Sequence, residues 1–150
     1  MIYYILNMSF DEEYLLKALD NDSNQSIMEL TRPQIKTTKN NILQNLQLSR
    51  EDLKTMHTKL ANYRYIDNIN DLNYGSYVRW INIKNIKNTD DIYLNTGAFV
   101  NEIKVEDDNI IVNCHFKYIK KKFKFDECLV FQKLSDQEQV ILDVMAHLKK

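Results

Sequence analysis

The sequence is poor in residues that break or cross-link a chain: its 150 residues include two glycines, one proline and two cysteines. So few glycines exclude collagen-like repeats, flexible linkers and glycine-rich phosphate-binding loops. Two cysteines do not make a disulfide framework, which favours a reducing, intracellular compartment. No apolar run approaches the ~20 residues of a membrane span. The apolar segment 1–8 lacks the basic start and cleavage site of a signal peptide, so we expect it to pack on the core and expect no membrane association.

Motifs for catalysis are also missing. The sequence contains no Walker loop, no GxGxxG, HExxH or GxSxG pattern and no EF-hand loop. Cys114 and His115 are adjacent, so on a strand their side chains point to opposite faces and do not form a nucleophile–base pair. The sequence therefore predicts no enzymatic activity, no cofactor and no metal site.

Neither sign of charge dominates, since the formal net charge is -1 at pH 7. A general nucleic-acid coat is usually strongly basic, so this balance argues against one. The charges nevertheless alternate in blocks: 31–66 and 110–133 are basic, whereas 1–30 and 67–109 are acidic. Two interpretations stay open. The blocks neutralise one another in the fold, or they build one basic face for an acidic partner.

Helix-capping pairs predict four helices. The pairs are Ser9 with Glu12, Thr31 with Gln34, Ser49 with Asp52, and Ser135 with Glu138. They place helices near 10–19, 33–46, 50–63 and 136–148. Residues 20–28, between the first two helices, are rich in Asn, Asp and Ser, which is typical of a linker.

The pattern changes to that of strands from Tyr63 onward. Strands are predicted at 75–83, 97–105, 109–119 and 123–131, with a long first connection over 84–96 and tight turns at Asp107-Asp108-Asn109 and Lys120-Lys121. The second turn would place Val112 opposite Leu129. In this register Cys114 and Cys128 point to opposite faces, so we expect no disulfide between them.

These elements predict an α+β fold in a single domain, 1–150. Residues 1–66 form its helical N-terminal portion, and 67–150 form a β-meander followed by the C-terminal helix. The expected sheet is a small antiparallel SH3-like β-barrel or strongly bent sheet of about four strands, roughly 75–131. An open sheet backed by helices is the alternative architecture.

The first candidate binding site is the segment 118–125, where lysines alternate with aromatic residues. Its lysines are Lys120, Lys121, Lys122 and Lys124. They would contact phosphates while Tyr118 or Phe123 stacks on a base. The alternative is that the aromatic residues are core and the lysines protect a sheet edge.

The second candidate site comprises Tyr77, Arg79 and Trp80. Tyrosine, arginine and tryptophan are the residues most enriched at protein-interaction hot spots. The alternative is that Trp80 is a core residue and that Arg79 makes an ordinary surface ion pair.

Three segments carry a family resemblance. They are YRYIDNINDLNYGSYVRWINI, LNTGAFV and LVFQKLSDQEQVIL, in this order within residues 60–145. The chain resembles uncharacterised small proteins of nucleocytoplasmic large DNA (giant) viruses, which share a GxY[IV]RW[IV] strand and an FQKL[ST]xxE segment. Its 17 asparagines, 16 lysines and 16 isoleucines agree with an AT-rich viral genome. The resemblance implies an origin and an order of segments, and it supplies no catalytic residues. Ala98 stands where relatives carry a second glycine.

The expected function is that of a non-enzymatic interaction module of a large DNA virus, acting as a protein-binding adaptor or structural component of the virion or virus factory. The alternative is a nucleic-acid-binding accessory protein for viral transcription or genome packaging, with the basic helices of 31–66 and the 118–124 hairpin on one face. The expected location is the host cytoplasm or virus factory, or the virion itself. The oligomeric state stays open.

Overall fold

The computed structural model describes residues 12–148 and shows an α+β protein, as predicted. Within that range the α-helices are α1 (Glu12–Asp20), α2 (Arg32–Gln44), α3 (Arg50–Lys59) and α4 (Asp136–Leu148). The strands are β1 (Tyr63–Ile66), β2 (Tyr77–Asn82), β3 (Ala98–Glu106), β4 (Asn109–Phe116), β5 (Ile119–Lys124) and β6 (Cys128–Lys133). Short 3₁₀ helices lie at Asp22–Glu29, Ile69–Asp71, Thr89–Asp91 and Phe125–Glu127.

The chain forms two compact units, Met1–Thr37 with Leu134–Lys150, and Thr38–Lys133. Each unit has a hydrophobic core of its own. The division between a helical portion, 1–66, and a β portion, 67–150, follows a different boundary and stays a prediction, as does the single domain.

Capping residues begin the helices at the predicted places. The amide of Thr31 donates to Gln34 Oε1 at 2.9 Å, and the amide of Gln34 donates to Thr31 Oγ1 at 3.2 Å. The same reciprocal pair joins Ser135 and Glu138, at 3.0 and 3.1 Å. Each pair satisfies amides that the first helical turn leaves without partners. The predicted Ser9 cap, the start of the helix at 10–19 and the segment 1–8 lie outside the described residues.

The first unit contains a correction to the predicted linker at 20–28. This segment forms the 3₁₀ helix Asp22–Glu29, and its Asn24 and Ile27 are buried. The amide group of Asn24 donates to the carbonyl of Ala18 and to Gln137 Oε1, both at 2.9 Å. Buried amides need such partners, so these bonds hold the polar segment in the core of the unit. That core contains Leu15, Ala18, Ile27, Ile35, Leu134, Ile141, Leu142 and Val144.

The second unit is built on a six-stranded antiparallel sheet with the strand order β1-β6-β2-β3-β4-β5. The two outer strands, β1 and β5, are not paired with each other, so the sheet is not closed. The predictions of about four strands and of a barrel are therefore not confirmed. One additional strand, β1, begins at Tyr63, where the predicted third helix ends. Another arises because the 3₁₀ helix Phe125–Glu127 divides the predicted strand 123–131, and β6 then pairs with β1 and β2.

The predicted turn at Lys120-Lys121 is wrong. Phe116 pairs with Ile119, so the two turn residues are Lys117 and Tyr118. Val112 accordingly pairs with Phe123 in place of Leu129. Lys117 adopts a positive φ of 55° to close this turn.

The predicted turn at Asp107-Asp108-Asn109 is confirmed at Asp107 and Asp108, whereas Asn109 already belongs to β4. Both aspartates have positive φ angles, 49° and 65°, and they join the closing pair of β3 and β4, Glu106 and Asn109. A two-residue hairpin turn with two positive φ angles matches the twist of the strands it joins. Aspartate tolerates this conformation better than most residues do.

The sheet bends strongly around one core. The rings of Trp80 on β2 and Phe123 on β5 stack with centroids 4.4 Å apart, although β3 and β4 lie between these strands. In a flat sheet three strand spacings would separate the backbones by about 14 Å, so the sheet curls and brings the two side chains together. This core contains Ile66, Leu72, Val78, Trp80, Ala98, Val100, Val112, Cys114, Phe123, Phe125, Cys128 and Val130.

The opposite face of the sheet is covered by helical residues at β1, β6 and β2. Leu43 of α2, Met56 of α3 and Leu60 pack there against side chains of the three strands. The buried strand residues are Tyr63, Ile81 and Phe131. In the part of the chain that the structure describes, these helical side chains do not extend over the same face of β3, β4 and β5. We call that part of the sheet the uncovered face, and Phe99, His115 and three lysines of the candidate site lie on it.

The two cysteines are both buried and free, which confirms the absence of a disulfide. The predicted reason was wrong. Cys114 on β4 and Cys128 on β6 belong to the same core cluster, because β6 pairs with β2 and not with β4.

Candidate functional site

Tyr77, Arg79 and Trp80 all lie on β2, where they hold the connection from β2 to β3. The Tyr77 hydroxyl donates to the carbonyl of Thr96 at 2.8 Å, and Arg79 Nε donates to the carbonyl of Asn95 at 2.8 Å. The carbonyl of Trp80 accepts from the amide of Asn95 at 2.9 Å. Each residue thus has a contact within the second unit, and Trp80 is a core residue. A role for these three residues in binding a partner stays a prediction.

The four lysines of the 118–125 segment separate into two groups on β5. Lys120, Lys122 and Lys124 pair with residues of β4 that lie on the uncovered face. Because paired residues of antiparallel strands share a face, these three lysines lie away from the bent core. Lys121 lies on the other face, where its Nζ donates to Thr96 Oγ1 at 2.6 Å.

Thr96 brings together the two candidate binding features. Its carbonyl accepts from Tyr77, and its hydroxyl accepts from Lys121. The β2 trio and the lysine hairpin are therefore neighbours in the fold, which their separation in sequence does not reveal.

A row of side chains crosses the uncovered face from the hairpin to β2. Lys120 pairs with His115, His115 with Phe99, and Phe99 with Tyr77. The Phe99 ring lies 5.9 Å from the His115 ring and 5.0 Å from the Tyr77 ring, measured between centroids. Sequence reasoning missed Phe99 and His115 as site residues. Each of the two residues stands between apolar neighbours on a predicted strand, so its side chain points to the face opposite to theirs. The sequence does not indicate which of the two faces is covered.

A bulge in β3 widens the surface beside this row. The register shifts between Val100 and Glu102, which leaves Asn101 as the extra residue. The side-chain oxygen of Asn101 is hydrogen-bonded to His115 Nδ1. Bulges of this kind redirect side chains and often lie beside functional sites. Here the bulge borders a groove of about 490 Å³, lined by Asn101, Glu102, Asn113, Cys114, Lys120, Lys121 and Lys122.

Large apolar side chains are exposed at the end of the hairpin. Tyr118 is fully exposed, with a relative accessibility of 102%, and Ile119 is 57% exposed. Phe116 and Phe99 are each more than a third exposed, and both contact the Tyr77 ring. We call Phe99, Phe116, Tyr118 and Ile119 the hairpin patch. A group of exposed apolar side chains is unusual on a protein surface and often marks an interaction site.

Ion pairs neutralise some of the charges near the hairpin. Lys84 Nζ lies 2.8 Å from Glu127 Oε1, and Lys124 Nζ lies 3.8 Å from the same oxygen. The hydrogen bond from Lys84 is the main cause that lowers the pKa of Glu127. Among the described residues, Lys120 and Lys122 form no ion pair and no side-chain hydrogen bond. These two lysines therefore supply positive charge to the uncovered face.

The basic block 31–66 contributes less positive charge to the surface than its sequence suggests. Lys39 and Arg64 are buried. Lys39 Nζ donates to the carbonyls of Leu60 and Tyr63, at 2.7 and 3.0 Å. Arg32 forms an ion pair with Asp143 at 2.7 Å. Two basic residues of this block are thus buried, and a third is neutralised.

The cysteine thiols are poor nucleophiles. Burial raises the pKa of Cys114 to about 12 and that of Cys128 to about 11. The thiolate is the reactive form, so both groups stay protonated and unreactive in the folded protein near neutral pH. Their side chains act as small apolar core residues.

A second groove, of about 330 Å³, lies between α3 and the connection from β2 to β3. It is lined by residues of both segments, which include Asp52, Thr55, Met56, Lys59, Asp90, Ile92 and Tyr93. Tyr93 is exposed at its rim. None of the predicted site residues lines this groove.

No protein-family model, curated protein or solved structure matches the chain. In residues 12–148 no helix is both long and apolar enough to cross a lipid bilayer. The same part of the chain contains no group of three or more His, Cys, Asp or Glu side chains placed to hold a metal ion. We therefore infer function from the exposed surface of the second unit.

Proposed function

We propose that the chain is a non-enzymatic interaction module that binds a protein partner through the hairpin patch. The observation that carries the proposal is the exposure of Phe99, Phe116, Tyr118 and Ile119 at one end of the sheet. Aromatic side chains are enriched at interface hot spots, and those already held by neighbours lose little conformational freedom on binding. Phe99 and Phe116 have this property, since both contact Tyr77.

The charge around the patch favours an acidic partner. Lys120 and Lys122 are exposed beside it and form no ion pairs among the described residues. Charged groups at an interface rim mainly set specificity and the rate of association. An acidic protein surface would therefore be selected over a basic one.

The connectivity of β2 to β6 supports an SH3-like topology, in a sheet that is not closed, as the finer description of the fold. β2 leads through a long connection to β3, tight turns join β3, β4 and β5, a 3₁₀ helix follows β5, and β6 pairs with β2. This order of elements is that of SH3-like barrels, which host many different functions. The likeness is one of fold and does not identify a partner.

The viral origin is part of the proposal and is supported by the sequence resemblance alone. In the FQKL segment, Phe131 and Gln132 are fully buried and Leu134 is buried. These side chains have a structural role, so the segment identifies no binding residue. The proposed module acts as an adaptor or structural component in the virus factory or virion of a large DNA virus.

A second candidate function is binding of single-stranded nucleic acid. The observation that favours it is the placement of Lys120, Lys122 and Lys124 on the same face as His115 and Phe99. Lysines that contact phosphates beside an aromatic ring that stacks on bases make up a nonspecific single-strand site. The burial of basic residues in the block 31–66 argues against the larger basic face that this function would use.

Affinity capture from infected-cell lysate, with matched variants, tests the protein-binding proposal. The test variant is Tyr118→Ser with Ile119→Ser. The control is Tyr74→Ser with Tyr93→Ser, which removes two aromatic side chains that are 66% and 63% exposed elsewhere. We expect a saturable protein partner that binds the wild type and the control and is lost with the test variant. Equal capture by all three proteins would contradict the proposal.

Fluorescence anisotropy with labelled single-stranded DNA and RNA tests the second candidate. If nucleic acid is the ligand, binding should weaken steeply between low and high salt, because lysines displace counterions from the phosphates. Replacing Lys120, Lys122 and Lys124 together by Glu should then abolish binding. The matched control is the triple replacement by Glu of three exposed lysines of α2 and α3, Lys36, Lys54 and Lys59. No binding at low salt removes this candidate.

A further inference from the structure

Among the described residues, 12–148, no strand pairs with the outer edge of β5. This strand is the last of the sheet and pairs only with β4. Within the described part of the chain, no backbone hydrogen bond joins residues 119–124 to any segment other than β4. A free edge presents unpaired N–H and C=O groups and is a template for another strand.

The register shows which residues present those groups. Phe116 and Ile119 close a two-residue turn, and the pair that closes such a turn exchanges both of its backbone hydrogen bonds. The direction of these bonds alternates along an antiparallel strand. The next two residues that bond to β4 are therefore Lys121 and Phe123. The residues that direct their backbone groups outward to the free edge are Lys120, Lys122 and Lys124.

The same three residues carry positive charge at regular spacing. Their side chains lie on one face of β5, and all three are exposed. Alternate residues of a strand are about 6.8 Å apart, so an added strand with acidic residues at alternate positions would place one carboxylate opposite each lysine. Lys120 and Lys122 have no ion-pair partner among the described residues, and Lys124 has a long contact of 3.8 Å with Glu127.

A second copy of this chain is a poor occupant of the edge. Pairing of β5 with its own copy would set lysines opposite lysines, and like charges at directly opposed positions destabilise a sheet. The other outer strand of the sheet, β1 (Tyr63–Ile66), contains no acidic residue to set opposite these lysines. The charge pattern of β5 therefore disfavours self-association and fits a different, acidic strand.

From these observations we propose that the free edge of β5 binds an extended acidic segment of a partner protein as an added strand of the sheet. Backbone hydrogen bonds to Lys120, Lys122 and Lys124 hold the segment, and alternating carboxylates face the same lysine side chains. The mode of binding is β-strand addition. This inference rests on the proposed protein-binding function and names the chemistry of the partner.

The test uses the full chain and three synthetic peptides. The first alternates Glu with Thr and Val over about eight residues, and the second replaces each Glu by Gln. The third keeps the Glu residues but carries N-methyl groups on their backbone amides, which are the amides that would face β5. We expect the first peptide to bind at least about fivefold more tightly than the second, because opposed charge pairs are gained. We expect the third not to bind, because it cannot complete the backbone ladder.

Two further measurements complete the test. Hydrogen exchange at the amides of Lys120 and Lys122 should slow when the first peptide is added. The combined variant Lys120→Glu and Lys122→Glu should abolish binding without a large change in the thermal midpoint, because both side chains are exposed.

Three outcomes would overturn the inference. Equal binding of the N-methylated peptide would exclude strand addition. Failure of all three peptides, while a protein partner still depends on Tyr118 and Ile119, would reject this inference and leave the proposed function intact. Displacement of the bound peptide by single-stranded DNA at equal concentration would assign the surface to nucleic acid instead.

Discussion

The aromatic ring of Tyr77 occupies the space beside Gly97 that a side chain would need. A Cβ atom built on Gly97 would lie 2.8 Å from two carbon atoms of that ring and from its hydroxyl oxygen. The same hydroxyl donates to the carbonyl of Thr96, the residue before Gly97. Gly97 also has a positive φ of 96°. The close approach of the ring and the turn at the start of β3 therefore depend on each other.

Replacement of Gly97 by alanine should strongly destabilise the protein. The new methyl group would collide with the Tyr77 ring and would also sit at a backbone conformation that side chains avoid, so we expect a loss of at least about 2 kcal/mol in the free energy of unfolding. Gly75→Ala is the matched control, since Gly75 has a positive φ of 82° but no atom within 4 Å of its Cβ position. We expect Gly75→Ala to lower the free energy of unfolding by about 1 kcal/mol. Urea denaturation measures both, and equal losses would contradict the role of the ring.

The buried Lys39 should be important for stability although it carries a charge. Its Nζ donates to the carbonyls of Leu60 and Tyr63, in the segment that follows α3. Lys39→Met retains the length of the side chain but removes these bonds, and the Leu60 carbonyl keeps the bond from the Tyr63 amide. We expect a loss of about 2–4 kcal/mol. Lys36→Met, three residues earlier in α2 and exposed, should change stability by less than about 0.5 kcal/mol. Thermal unfolding of both variants checks the difference.

Local chemistry explains which parts of the fold could be predicted. Thr31 and Ser135 begin helices because their hydroxyls and the side chains of Gln34 and Glu138 complete capping boxes. The Asp107-Asp108 turn was predictable because aspartate tolerates a positive φ. These signals act over three or four residues, and they depend little on the rest of the protein.

The remaining features depend on contacts between distant residues. Lysine has no preference for turns, so nothing local marked Lys117 as the residue that closes the β4–β5 hairpin. An alternating strand does not reveal which of its faces is covered. Phe99 is exposed because the helical residues Leu43 and Met56 pack over β1, β2 and β6 and not over β3. The candidate site was therefore predicted through its lysines, whereas Phe99 and His115 were missed.

The buried thiols should make stability fall at high pH. In the unfolded chain the thiols have an ordinary pKa near 9, whereas burial raises the pKa of Cys114 to about 12 and that of Cys128 to about 11. Below pH 9 the thiols are protonated in both states and contribute little to the pH dependence. Above pH 9 only the unfolded state loses these protons, so each thiol favours unfolding by up to about 1.4 kcal/mol per pH unit until its folded pKa is reached.

Comparison of the wild type with the combined variant Cys114→Ala and Cys128→Ala isolates this effect. Between about pH 8 and pH 10 the wild type should lose about 1–2 kcal/mol more than the double variant, which is less than the full sum because solvent screening reduces the cost of each thiolate. Guanidinium denaturation at each pH measures the loss. Parallel stability curves for the two proteins would show that the thiols do not cause it.

Gln132 should be required for the loop between β1 and β2. Its side chain is fully buried, accepts from the amide of Asn73 at 2.8 Å and donates to the carbonyl of Asp71 at 3.1 Å. Gln132→Leu keeps a similar volume but leaves both backbone groups without these bonds, so we expect a loss of about 2–3 kcal/mol. The exposed Gln44 supplies the control substitution, Gln44→Leu. Hydrogen exchange at the Asn73 amide should become faster in the Gln132 variant only.

The turn at Lys117 should be a place where stability can be increased. Lys117 has a positive φ of 55° at the first position of a two-residue hairpin turn, a position that glycine prefers in type II′ turns. A side chain in this conformation lowers the free energy of unfolding by about 1–2 kcal/mol. Glycine avoids this cost, but its greater freedom in the unfolded chain offsets part of the gain. We therefore expect Lys117→Gly to raise the free energy of unfolding by up to about 1 kcal/mol, as measured by urea denaturation.

The control for this turn is Lys120→Gly, at a strand position that needs no positive φ, and it should lower stability instead. Partner binding by the Lys117 variant then separates two roles of the turn. If the variant is more stable and still binds, the strained conformation of Lys117 only lowers the free energy of unfolding. It is then not needed to present Tyr118 and Ile119. If it is more stable but no longer binds, the strained turn itself places the hairpin patch. A loss of stability in the Lys117 variant would contradict the strain assigned to this residue.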